Sequence, residues 1–353
     1  MATSARARSA LALTAVVAGG LAAGFLAERR VVHRRLAPRR KDAPLGSLAG
    51  DLEVIDGPDG MRLTIESYGP PDAPQLVLVH GWMCTGRAWH EQVLALADTY
   101  RVITYDQPGH GRTSRPASWR YSLDLLGDTL RTVTEQVARP GPLVVAGHSM
   151  GGMTLLNAAR RHDDLLDERV AGVVLVSTTS NAHPHRRLSF DASIQAFARL
   201  DAAVRRLTPR LRDPRVIDLA DRATASSSDL SHLLTSWVST GPGAAPEVID
   251  FTQQMALDSG SELVIGLAEA ILEVREDAGL DHLLLRGTPV SIVVGSQDRL
   301  TPIGLSQRMA DRVGAELVVV DDAGHMLPLE APEALNAVLR RHLEQVSGVV
   351  AAS

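Results

Sequence analysis

Six short runs rich in valine, isoleucine and leucine recur along the chain, at residues 75–79, 102–105, 143–146, 170–176, 290–294 and 316–320, with helical patterns between them. A strand with one face in water alternates apolar and polar residues. A run that is apolar at nearly every position must be covered on both faces. The helical spacers supply that cover. Right-handed crossovers through them give an α/β fold with a doubly wound, mostly parallel sheet. A strand pair is expected ahead of the first run, at residues 52–55 and 61–68, turned at Gly57-Pro58-Asp59-Gly60.

The rhythm breaks once. More than 100 residues separate Ser177 from Pro289 with no convincing strand, and amphipathic stretches at 193–207 and 262–276 predict helices there. This is the pattern of a helical cap inserted above the strand ends. The expected division is an N-terminal segment over 1–42, a first core part over 43–180, the cap over 181–286 and a second core part over 287–353. Residues 38–50, rich in proline and glycine, are expected as a linker.

The N-terminal segment has its own logic. Residues 9–27 form a 19-residue run without a charge, close to the length a helix needs to cross the hydrocarbon core of a bilayer. Residues 1–41 carry nine basic side chains against Glu28 alone, a net +8, while the rest of the chain carries −13 within the overall −5. The basic cluster directly after the apolar run favours an uncleaved anchor with the body on the cytoplasmic side. Secretion after signal cleavage is the alternative. A basic head on an acidic body does not suit a general nucleic-acid binder. Aromatics at 3% leave few stacking platforms for single strands. One cysteine, Cys84, excludes an internal disulfide and multi-cysteine zinc sites.

Chemistry gathers where the runs end. Gly147-His148-Ser149-Met150-Gly151 follows the run at 143–146 and precedes a helical pattern, so G-x-S-x-G stands in its strand–turn–helix context. Small residues allow a turn tight enough to project Ser149, and the helix N-terminus behind it favours developing negative charge. A serine hydroxyl needs a base, and the base needs an orienting group. Asp298 lies just beyond the run at 290–294 and His325 just beyond the run at 316–320. The order Ser149, Asp298, His325 places nucleophile, acid and base at three strand ends. The stretch after residue 176, Ser177-Thr178-Thr179-Ser180, has no carboxylate, which strengthens Asp298. Backbone N–H groups of Met150 and Trp82 are the candidate oxyanion donors.

Five ordered motifs carry a family resemblance: HGW at 80–82, YDQPGHGRT at 105–113, GHSMGG at 147–152, GSQDRLTP at 295–302 and GHMLPLE at 324–330. Together they resemble the α/β-hydrolase superfamily over roughly residues 51–345. More narrowly they look like its serine esterase/lipase and cofactor-free haloperoxidase (perhydrolase) branches. The resemblance implies a serine hydrolase with Ser149 as nucleophile, His325 as base and Asp298 as orienting acid, needing no cofactor or metal. The insertion would be the family's variable cap, so substrate is the property least transferable. Branches that cut haloalkanes or epoxides place aspartate at the nucleophile; this chain has serine. Carbon–carbon hydrolases and perhydrolases use the same Ser-Asp-His set and stay open. So does a hydrolase-fold binding protein, although keeping all three groups argues against it. The expected substrate is a small-molecule ester or lipid, and the anchor favours a lipophilic one.

Other residues have plainer readings. Asp106, Gly109 and Gly111 are expected to shape a turn, His148 to pack or hydrogen-bond behind the nucleophile, and Cys84 to be a small buried residue. His162 with Asp167 matches H-x4-D by chance at a helix end. His183 and His185 open the cap. Trp237, Phe190, Phe197 and Phe251 are expected in the cap's core, where some could line an acyl pocket.

Overall fold

The computed structural model describes residues 43–162, 164, 169–181 and 235–352. The apolar run at 9–27 with its basic flank, and cap residues 182–234 with His183, His185, Phe190 and Phe197, lie outside the described residues. Among the described residues no helix is long and apolar enough to cross a membrane.

The described residues form an eight-stranded sheet in the order β1-β2-β4-β3-β5-β6-β7-β8. The strands are β1 (Asp51–Asp56), β2 (Arg62–Tyr68), β3 (Gln75–Val79), β4 (Arg101–Tyr105), β5 (Leu143–His148), β6 (Val170–Val176), β7 (Val290–Gly295) and β8 (Glu316–Val320). Every predicted run is a strand, with ends within two residues of expectation. β2 is antiparallel to β1 and β4, and the rest of the sheet is parallel.

Alternation of side chains along each strand explains why the runs are apolar throughout. In β3, Val77 and Val79 enter one core cluster while Leu76 and Leu78 enter the other. The first cluster packs against helices α2 (Leu123–Gln136) and α3 (Met150–Arg161) through Leu130, Val133, Leu155 and Leu156. The second packs against α1 (His90–Leu96) and the C-terminal helix (Pro332–Ala352) through Trp89, Val93, Leu96, Leu335, Leu339 and Leu343. Each fully buried Leu or Val contributes roughly 1.5–3 kcal/mol relative to exposure, so both faces need cover.

Local signals set the helix ends. Ser122 caps α2 by accepting from Leu125 N–H at 3.1 Å. Within the region expected as cap, residues 235–239 are helical, followed by α4 (Pro246–Asp258), α5 (Ser261–Leu272) and α6 (Asp277–Leu285). Leu280 and Leu283 of α6 belong to the first core cluster, and Gly279 lies so close to α3 that a Cβ there would stand 1.9 Å from the Leu156 carbonyl oxygen. Helix α6 thus covers the sheet as a crossover. Helix α5 sends Leu263 and Leu267 onto Leu126, Met150 and Met153, with Trp82 half-buried against them.

Two expectations need correcting. Residues 45–50 are not a free linker: Leu45 and Leu48 pack against buried clusters, and Gly46 N–H donates to His90 Nδ1 at 3.2 Å. Proline and glycine there set a path over the surface of the body. Trp237 is 63% exposed rather than packed in a core. Its ring lies 5.5 Å from the Arg299 guanidinium, and its carbonyl accepts from the same side chain.

Candidate active site

Ser149 sits between β5 and α3 with φ 53° and ψ −119°, a backbone conformation that costs a non-glycine residue of order 1–3 kcal/mol. The surroundings hold it there. Its N–H donates to the Val176 carbonyl at 2.9 Å, and its carbonyl accepts from Thr178 Oγ1 at 2.6 Å and Gly152 N–H at 2.9 Å. The flanking glycines have backbone against them: a Cβ at Gly147 would stand 2.5 Å from the Gly151 carbonyl, and one at Gly151 only 2.1 Å from the Val79 carbonyl oxygen. G-x-S-x-G is therefore needed for close approach of α3 to β3 and β5 as well as for the turn.

Asp298 and His325 come together at the ends of β7 and β8. His325 Nδ1 lies 3.1 and 3.0 Å from the two carboxylate oxygens, and both residues are buried. Oδ1 of Asp298 also accepts from the N–H groups of Leu300 (2.9 Å) and Thr301 (2.8 Å), and Oδ2 from Thr301 Oγ1 (2.8 Å). Burial would raise this carboxyl, but the charge and hydrogen bond of His325 and the bonds from Thr301 outweigh it and hold it below the ordinary range. A carboxylate at Nδ1 fixes the proton there, which leaves Nε2 with its lone pair for base chemistry.

The serine and histidine loops are tied through His148. Its Nε2 donates to the His325 carbonyl at 2.8 Å and its ring stands 4.9 Å from the His325 ring. The expected role of His148 behind the nucleophile is thus met. Gly81 approaches the same point: a Cβ there would lie 3.2 Å from Ser149 Cβ and 2.9 Å from His148 Nδ1. The N–H groups of Trp82 and Met150 have no acceptor among the described residues, as oxyanion donors require.

Several supporting residues were not singled out from the sequence. His80 Nδ1–H donates to the Gly81 carbonyl at 2.7 Å, and its Nε2 accepts from Gln107 N–H at 2.8 Å. Gln107 Nε2 returns a bond to the His80 carbonyl, and its Oε1 lies 2.9 Å from Thr154 Oγ1 on α3. The loop after β3 is thereby fixed to the loop after β4 and to α3. Thr178, two residues beyond β6, and Thr301, three residues after Asp298 in the loop beyond β7, had a signal as hydroxyl residues in strand-end loops; Gln107 had none. Asp106 performs the expected turn role, accepting from Gly86 and Arg112 N–H at 2.9 Å each. Cys84 is buried, and burial pushes its thiol up to about 12, so it is no nucleophile at neutral pH. His162 ends α3 and pairs with Asp128 at 2.8 Å; Asp167 lies outside the described residues.

Three fully buried histidines behind the site carry a consequence for stability. Burial pushes His80 down to about 4; burial together with a neighbouring histidine pushes His110 and His148 down to about 3. An ordinary histidine takes its proton near 6.5. Between that pH and about 4 the unfolded chain binds protons that the folded chain refuses, so stability is complete above pH 7 and is lost as pH falls through this window. At pH 5 each group costs about 2 kcal/mol relative to pH 7.5. The urea midpoint is expected to fall steeply from pH 7.5 to 5.0, and His110→Asn should flatten that slope. A midpoint independent of pH would contradict the neutral burial of these rings.

The sequence profile described as alpha/beta hydrolase fold matches residues 74–332. The chain belongs to the α/β-hydrolase fold family. A protein described as "Putative carbamate hydrolase RutD" from Caulobacter vibrioides is 27% identical over 296 residues, covering 83% of this chain and 97% of its own. Its counterpart in Caulobacter sp. K31 is 26% identical over 287 residues, covering 81% and 96%. Among solved structures, a thermophilic esterase from Thermogutta terrifontis superposes with a TM-score of 0.66 at 24% identity, over 84% of this chain and 99% of that one. The esterase RhEst1 from Rhodococcus sp. ECU1013 gives 0.62 at 21%, with the same coverage. At these identities the structural likeness speaks for the fold.

Proposed function

We propose that the protein is a serine hydrolase that cleaves carboxylic esters through an acyl-enzyme on Ser149. The observation that carries this reading is the buried Asp298–His325 pair, with Nδ1 held at 3.0 Å from Oδ2, beside a serine in a strained turn at the same strand-end rim. His325 Nε2 takes the Ser149 proton as Oγ attacks the ester carbonyl. The N–H groups of Trp82 and Met150 stabilise the oxyanion. His325 then protonates the leaving alcohol, and water, activated by the same nitrogen, releases the acid. No cofactor enters these steps.

Trp82, half-buried against the apolar cluster of Met150, Met153, Leu263 and Leu267, gives the loop after β3 an apolar flank, and this supports a lipophilic acyl group. Residues 9–27, with nine basic residues in the first 41, support an anchor that holds the body at the cytoplasmic face of a membrane. Retention of the full chain in the membrane fraction after alkaline extraction is the expected result; release of an intact soluble chain contradicts the anchor.

Hydrolysis of p-nitrophenyl esters from C2 to C16 tests the reaction. Turnover with an optimum at medium or long chains is expected, and inertness to every ester would sink the reading. The RutD likeness over most of both chains favours one second reading, a carbamate as substrate, with the carbamoyl group carried on Ser149. A phenyl carbamate assayed beside the ester series separates the two. Carbon–carbon cleavage and perhydrolysis use the same three groups, and product analysis distinguishes them.

A further inference from the structure

Beyond the three proposed catalytic groups, one carboxylate joins the histidine loop to the region expected as cap. Glu330 ends a short helix (Leu327–Glu330) that begins two residues after His325. Its Oε2 accepts from Gly324 N–H at 3.0 Å, directly before His325, and from Gly241 N–H at 2.6 Å. Its Oε1 is shielded from solvent and has no hydrogen-bond partner among the described residues. The two loops are pressed backbone to backbone. A Cβ at Gly324 would stand 2.2 Å from Gly241 N, and one at Gly241 would stand 2.2 Å from the Asp322 carbonyl oxygen. Met326 N–H also donates to the Ser239 carbonyl at 2.9 Å. With both glycines closed to side chains, neither N–H can be reached from its own residue. The carboxylate of Glu330 serves both at once.

We propose that Glu330 is a positioning residue that pins the His325 loop to segment 239–241, so that the imidazole is held in place only while that segment is seated. Glu330 does not touch substrate. It acts through Gly324 and through the path of the backbone into His325. The arrangement makes the proposed triad depend on a segment within the region expected as cap, on the side of the sheet where β7 and β8 end. This inference rests on the serine-hydrolase reading for its link to activity, and on the two backbone hydrogen bonds for the pin itself.

The test compares Glu330→Ala and Glu330→Gln in the full chain, with p-nitrophenyl butyrate turnover and amide hydrogen exchange as readouts. Glutamine keeps an acceptor oxygen for the two N–H groups; alanine removes it. For Glu330→Ala a loss of kcat of about 10–100-fold is expected, the size that a misplaced catalytic group produces. KM should stay within about threefold, because Glu330 bonds only to backbone N–H groups and does not touch substrate. Exchange should quicken in both peptides 238–242 and 322–327. Glu330→Gln should restore kcat to within about threefold of wild type and slow the exchange again. Unchanged exchange in both peptides for Glu330→Ala would overturn the pin, and so would a glutamine variant as impaired as alanine. Faster exchange with kcat unchanged would overturn the positioning role. Should the wild type turn over no ester, the ester reading fails, and the exchange data still decide the pin.

Discussion

Ser149→Ala is expected to lower kcat/KM for p-nitrophenyl butyrate by about 10⁴–10⁶-fold, while the fold and its urea midpoint change little. Alanine keeps the Cβ and removes only Oγ, and every contact that holds residue 149 in its strained turn runs through its backbone. The N–H bond to Val176 and the carbonyl bonds from Thr178 and Gly152 all survive the change. Activity within tenfold of wild type, at unchanged stability, would remove Ser149 from the mechanism.

Asp298→Asn is the second large effect, with an expected loss of about 10³–10⁴-fold in kcat. Four donors converge on this carboxylate: Leu300 N–H, Thr301 N–H, Thr301 Oγ1 and His325 Nδ1. An asparagine oxygen can go on accepting from the two backbone groups. Its NH₂ then faces His325 Nδ1, which must turn acceptor, so the imidazole proton moves to Nε2 and the base is gone. The urea midpoint should fall as well, because the charge-assisted bonds to the carboxylate become neutral ones, and Thr301 Oγ1, which donates to Oδ2, must turn to accept from the amide NH₂. Steady-state kinetics of the purified variant check this directly. Retention of more than a tenth of wild-type kcat would mean that Asp298 does not orient His325.

The sheet was legible because burial on both faces writes itself into composition. The runs at 75–79 and 170–176 coincide end to end with strands buried on both faces, and the run at 316–320 with the edge strand β8, where Leu317 packs on one core and Val318 and Val320 on the other while Val319 is exposed. The strand-end placement of Ser149, Asp298 and His325 was legible for a related reason. Chemistry in a parallel sheet gathers beyond the carboxyl ends of strands, so finding the strands narrows the search to a few loop positions. The support beneath the site was not. Gln107 joins His80 to Thr154 through contacts 27 and 47 residues apart in sequence, with no periodicity to announce them. Glu330 stands in a motif read for its histidine, and its partner Gly241 is 89 residues away. Residues 45–50 misled because proline and glycine mark a turning backbone equally well in a loose linker and in a strap pressed onto the body. Trp237 misled because hydrophobicity alone does not distinguish a core position from a ring lying beside an arginine at the surface.

The most direct measurement is reaction of the full chain with a fluorophosphonate, followed by peptide mass spectrometry. Covalent labelling of the peptide carrying Ser149, abolished in Ser149→Ala and greatly slowed in Asp298→Asn, is the result that an activated serine predicts. Absence of label from the folded wild-type chain, or label on another residue that persists in Ser149→Ala, would contradict it.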